Sequence, residues 1–214
     1  MLKIKIDYSS NFTPNEISKL IRCEGNLEKI VNSTLFKQEF LRADFSGETS
    51  QWKNKTNLEI FEHFMSGAET LQPEIDNEAD IFIDIFNPKP FQSVVGYTYS
   101  YTVMQWINRK FFWALSDAGV EGNLAHEWGH KLGFDHDFKA TARRPFSICY
   151  QLNKIINFCH AVIIDGQEFP VAAVKAYVPK WKRLLFWMKR RARCLLRWQP
   201  ARHIQHVCMA LLYP

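Results

Sequence analysis

His126 and His130 stand four positions apart, Glu127 directly follows the first of them, and Gly133 and His136 come after. Residues four apart on a helix share one face about a turn apart, so both imidazoles can grip a single ion. Two neutral imidazoles of this kind bind zinc, and a carboxylate beside the first can act as general base toward water activated by the metal. Gly133 allows a sharp turn out of the helix, which lets His136 return as a third nitrogen ligand and leaves the fourth position open. An open zinc activates water and polarises a carbonyl; Glu127 would take the proton and hand it to a leaving amine. The chemistry expected is hydrolysis of a peptide bond, with Zn2+ as cofactor and a protein or peptide as substrate. At average residue usage the two His and the Glu alone arise by chance in well under about one in a hundred chains of this length, and the Gly and third His lower that to on the order of one in a hundred thousand. The competing readings are a purely structural zinc, normally closed by four ligands, and a decayed site.

The elements that must position these residues can be read from periodicity. Leu2, Ile4 and Ile6 alternate with polar neighbours, as in a half-buried strand. Thr13-Pro14-Asn15-Glu16 fits a capping box with Pro at the first helical position, and Phe12 with Ile17 forms a candidate hydrophobic staple. The spacing predicts helix over 14–43 with one weak point at Gly25, then a polar loop over 44–56. Ala79–Phe86 has strand periodicity, and two further strands are expected over 93–99 and 102–113, after the turn Asn87-Pro88-Lys89-Pro90. Residues 122–132 read as a helix that ends at Gly133.

Composition sets the frame around this. The apolar and charged fractions, 47% and 23%, are those of an ordinary folded chain, and 214 residues suffice for one domain plus an appendage. Ten of the 27 Lys and Arg, and none of the 22 Asp and Glu, lie beyond Glu168, so the part up to and including it carries −5 and the tail +10. We place the boundary there, giving a domain over 1–165 and a basic C-terminal extension over 166–214. Trp181, Leu184, Leu185, Met188 and Leu195 fall at near-helical spacing among the basic residues. Such a helix can lie on an anionic membrane, engage an acidic partner or dock on the acidic domain, and nucleic acid is the weaker alternative. Five cysteines form no regular disulfide framework and do not fix the redox compartment. The first residues, Met1-Leu2-Lys3-Ile4-Lys5-Ile6-Asp7, interrupt their apolar residues with charges and do not read as a signal-peptide core.

The stretch from His126 to His136 resembles the H-E-x-x-H-x-x-G-x-x-H signature of the metzincin clan of zinc metallopeptidases. The order strand, long helix, several strands, zinc helix is similar to that clan's catalytic domain over residues 1 to about 165. The resemblance implies an α/β (α+β) fold: a twisted, mostly parallel sheet with an antiparallel edge strand, a cleft between two subdomains, and secretion. Residues 93–99 are the candidate edge, where an extended peptide would be held by strand addition. Asp137 directly follows the third His, as in the adamalysin-like branch. The clan's Met below the zinc has no counterpart, since no Met occurs between His136 and Met188. Ser147-Ile148-Cys149-Tyr150 falls where that turn should be, and Cys149 is the candidate for the Met position, supporting the site rather than ligating. A plain core Cys, or one paired with Cys159, is the alternative. Tyr150 is a candidate oxyanion stabiliser or a packing residue.

Other residues carry less. Asp135 either orients a ligand through a hydrogen bond or is solvated. His63 and His160 stand alone, and Trp128 is expected to pack under the zinc helix. The expected activity is that of a zinc endopeptidase; the alternative from another class is a zinc-bearing binding protein without turnover, its partner held by the basic tail.

Overall fold

The computed structural model describes residues 1–89 and 92–167. The basic extension predicted from its sequence lies outside the described residues from 168 onward. Among the described residues the fold is mixed α/β: a four-stranded mixed sheet and six α-helices, with none of the helices long and apolar enough to cross a membrane.

Strand β1 (Lys3–Tyr8) pairs in parallel with β2 (Glu78–Phe86), which pairs in parallel with β4 (Met104–Asn108). The short β3 (Gly96–Thr98) runs antiparallel to β4 and forms the edge, giving the order β1-β2-β4-β3. Alternation puts Ile4 and Ile6, then Ala79, Ile81, Ile83 and Ile85, in the core. Parallel neighbours need a crossover, and the helices α1 to α3 between β1 and β2 supply one.

Helix α1 (Pro14–Val31) starts at the capping box: Thr13 Oγ1 accepts from the Glu16 N–H, and the Glu16 carboxylate accepts from the Thr13 N–H at 2.8 Å. It runs straight through Gly25. That glycine has open space around its α-carbon, and the loss of helix propensity, about 1 kcal/mol, is offset by buried Cys23 and Leu27 on the packed face. The break comes instead at Asn32-Ser33, where Ser33 caps α2 (Thr34–Arg42) and the Asn32 amide bonds both the N–H and the carbonyl of Leu2. Helix α3 (Asn57–Ser66) has its own capping box, Thr56 with Glu59, and ends on Gly67.

Two sequence expectations need correction. Residues 102–113 are not one strand: β4 stops at Asn108, whose side chain accepts from the Lys110 N–H and starts α4 (Arg109–Ala114). Phe112 is thereby buried, whereas alternation would have left Phe111 and Trp113 inward instead. The predicted helix over 122–132 begins earlier, as α5 (Asp117–Lys131), because Ser116 caps it. Behind α5 lies α6 (Ile148–Ile163), started by Ser147, which brings Ile148, Cys149, Leu152, Ile156 and Cys159 against Val120, Leu124, Ala125 and Trp128 in the core.

Candidate metal centre

Helix α5 carries His126, Glu127 and His130. Its register is set by Trp128, which is buried against Phe64 and donates from Nε1 to the Glu69 carboxylate at 2.7 Å. With Trp128 facing the core, the two histidines face away from it. The helix terminates at Leu132, and Gly133 adopts φ +83°, a left-handed conformation that costs a residue with a side chain roughly 1–2 kcal/mol. The Phe134 N–H returns to the Gly129 carbonyl, and the chain doubles back to place His136 beside the helix.

The three imidazoles converge. Nitrogens of His126, His130 and His136 all lie within 4.8 Å of one another, and each ring keeps part of its surface accessible. Nδ1 of His130 bonds the Phe134 carbonyl at 2.9 Å and Nδ1 of His136 the Asp137 carbonyl at 3.1 Å. A carbonyl only accepts, so those Nδ1 atoms carry the proton and the lone pairs sit on Nε2. His126 is similarly held by the Cys149 backbone. Nε2 of His126 and Nε2 of His136 approach to 3.3 Å. At that distance a proton or a cation must lie between the two nitrogens. Two nitrogens on a tetrahedral zinc, each about 2.0–2.1 Å away, would stand about 3.3 Å apart, so the donor set fits the ion.

Electrostatics favour the neutral imidazoles that ligation needs. Burial, then the neighbouring histidines, hold His126 well below the ordinary histidine range. Burial lowers His136 and takes His130 down to about 4. Burial also pushes Glu127 up to about 8, against the Asn123 hydrogen bond and the Lys131 charge that favour its carboxylate. Asn123 lies between Glu127 and the sheet edge: a Cβ on Gly96 of β3 would come within 2.6 Å of Asn123 Oδ1. Lys131 ties the end of α5 to the β3–β4 hairpin by donating to the carbonyls of Tyr99, Thr102 and Met104.

Cys149 and Tyr150 lie in the first turn of α6. Cys149 is buried and unpaired, as is Cys159, so these two form no disulfide. Its Sγ is 3.7 Å from His130 Nδ1, the side away from Nε2. The Tyr150 ring packs edge-on against His126 and His136, with centroids 4.8 and 4.9 Å away, and the Arg144 guanidinium covers it at 4.9 Å. Asp135 bonds the backbone N–H of His136 at 2.7 Å rather than any imidazole. Asp137 is held by Arg143 and Thr141, which keep its carboxyl far below the usual range. His63 stacks on Trp52 and bonds the Leu132 carbonyl, and His160 pairs with the buried Glu121 at 2.6 Å; both are structural.

Sequence reasoning passed over Glu48. It is buried in the loop after α2, and its carboxylate accepts from the N–H groups of Asp135 and Ile148. Nothing in the local pattern marks it, because both partners are distant in sequence.

No family model matches the chain, and no curated protein matches it significantly.

Proposed function

We propose that the protein is a zinc-dependent metalloendopeptidase of metzincin type. The observation that carries the reading is the approach of His126 Nε2 and His136 Nε2 to 3.3 Å, with His130 completing the set and Glu127 next to His126 on the same helix. Bound there, zinc supplies Lewis acidity that polarises a carbonyl and makes water nucleophilic near neutral pH. Glu127 serves as general base and returns the proton to the departing amine. His130 and His136 are each oriented by a backbone carbonyl on Nδ1, which keeps Nε2 aimed inward, and His126 bonds the Cys149 backbone. Strand β3 presents the unpaired edge of the sheet, close to Asn123 and thus to Glu127, and would align an extended polypeptide by strand addition. Tyr150, against two of the ligands, would close one wall of the site.

The test is cleavage of an unstructured polypeptide by the zinc-loaded full chain, with and without a chelator, beside a Glu127→Ala variant. Chelator-sensitive cleavage that the variant lacks is the expected result. A zinc-loaded chain that cleaves nothing, across a diverse peptide library, would replace this reading with that of a zinc-bearing binding protein.

A further inference from the structure

The loop between α2 and α3 enters the underside of the metal centre at one point, Gly47-Glu48. Gly47 presses so closely on the turn before α6 that a Cβ there would lie 2.0 Å from the Arg143 carbonyl oxygen and 2.8 Å from the Ser147 nitrogen. Its N–H donates to the Phe146 carbonyl at 3.1 Å. The loop is therefore seated by backbone contact that no other residue type would permit, and this seating delivers the next side chain.

Glu48 is 1% exposed, and among the described residues no salt bridge reaches it. Four backbone N–H groups do the work instead. Oε1 accepts from Thr49 at 3.2 Å, Ser50 at 3.1 Å and Asp135 at 2.8 Å, while Oε2 accepts from Ile148 at 3.1 Å. Two of these donors belong to the loop itself. The other two belong to the segments that complete the metal centre. Asp135 immediately precedes His136. Ile148 is the first residue of α6, an N–H with no partner inside the helix, and it immediately precedes Cys149, which underlies His130. The positive end of α6 adds to the stabilisation of a buried anion there.

We infer that Glu48 is a positioning residue for the His126–His130–His136 site: by fixing the Asp135 and Ile148 backbones with one carboxylate, it sets His136 and Cys149 against the two helix-borne imidazoles. This rests on the proposed reading of the three histidines as metal ligands. The backbones of His126 and His130 are placed by α5. His136 stands on an irregular segment past Gly133, and the Asp135 bond to Glu48 anchors that segment to the same carboxylate as α6. Glu48→Gln preserves the volume but turns one acceptor into a donor, so at least one of the four N–H groups then faces an NH2 group.

The experiment titrates the full chain with Zn2+ in competition with a chromophoric chelator, and with Co2+ to read ligand geometry from its visible absorption. Wild type, Glu48→Gln, Glu48→Ala, His136→Ala and a stability control, Leu20→Ala in the remote core of α1, are compared. Loss of an outer partner of a metal ligand weakens binding about 10- to 100-fold. We expect that loss, with an altered Co2+ spectrum, in Glu48→Gln, and wild-type affinity in Leu20→Ala at comparable thermal destabilisation. Glu48→Gln that binds Zn2+ within threefold of wild type and gives the same Co2+ spectrum overturns the inference. If wild type and His136→Ala bind metal equally or not at all, the metal reading has failed instead. Glu48 is then judged by amide hydrogen exchange: joint loss of protection at Asp135 and Ile148 in Glu48→Gln sustains the clamp, and retained protection at either one refutes it.

Discussion

Glu127 and the three histidines divide the work by position on the chain. His126 and His130 share one face through helical spacing, which is why three residue types, His, Glu and Gly, in a short run made them legible. Glu127 is buried beside the first histidine, and its carboxylate is the group the proposed proton transfer depends on. Glu127→Gln should therefore lower kcat/KM for peptide cleavage by roughly a hundred- to ten-thousand-fold while zinc affinity stays near that of wild type. Equal losses of zinc and activity would assign Glu127 to metal binding rather than to proton transfer. Glu48 was illegible for a physical reason: its donors, Asp135 and Ile148, lie 87 and 100 positions away, and a loop glutamate has no local signature for that role. Arg144 over the Tyr150 ring is of the same kind, made by tertiary approach rather than by spacing.

At the scale of elements, the turn at Gly133 links helix α5 to His136, the third proposed ligand. Gly133→Ala places a Cβ on a backbone with φ +83° and within 3.3 Å of Thr70 Oγ1. The variant should lose roughly 1–2 kcal/mol of stability in urea denaturation, with a weaker hold on zinc, because the strain falls on the chain leading to His136. A variant as stable and as tight as wild type would show the turn to be dispensable. Helix α3 offers a pH test away from the metal. Hydrogen bonds from the Thr56 backbone, then the Lys55 and Thr56 side chains, lower Glu59 to about 2. A carboxylate depressed in the folded state contributes stability in full above its unfolded value near 4.5, and that contribution fades as pH falls through about 2. Glu59→Gln should flatten that part of the acid-unfolding profile and leave the profile above pH 5 parallel to wild type.

Element boundaries show where local pattern sufficed and where packing overrode it. The Thr13–Glu16 capping box was visible because both its halves lie within one turn. The matching Thr56–Glu59 box was equally visible in principle and marks a helix that periodicity alone did not suggest. Gly25 looked like a break and is not one, since propensity costs little beside the burial of its neighbours. Asn32 is the true break, and its reason, the bonds to Leu2, involves another element. The aromatic run after Asn108 satisfies strand propensity, but burial of Phe112 and the Asn108 cap select a helix.

Across the described residues, the sheet, α5 and α6 meet on one core, and the proposed metal centre sits where a helix end, a returning turn and the start of another helix converge. A ligand that binds only this assembled state stabilises it. Zinc at a hundred times its Kd adds about 2.7 kcal/mol, which for a chain of this size raises the Tm by roughly 5–10 °C. Chelator should reverse the shift, and His136→Ala should abolish it. The most direct measurement is zinc X-ray absorption on the full chain loaded with one equivalent of the metal. We expect a first shell of three imidazole nitrogens and one exchangeable oxygen from solvent. A shell containing sulfur, or a fourth protein ligand closing the ion off, would contradict it.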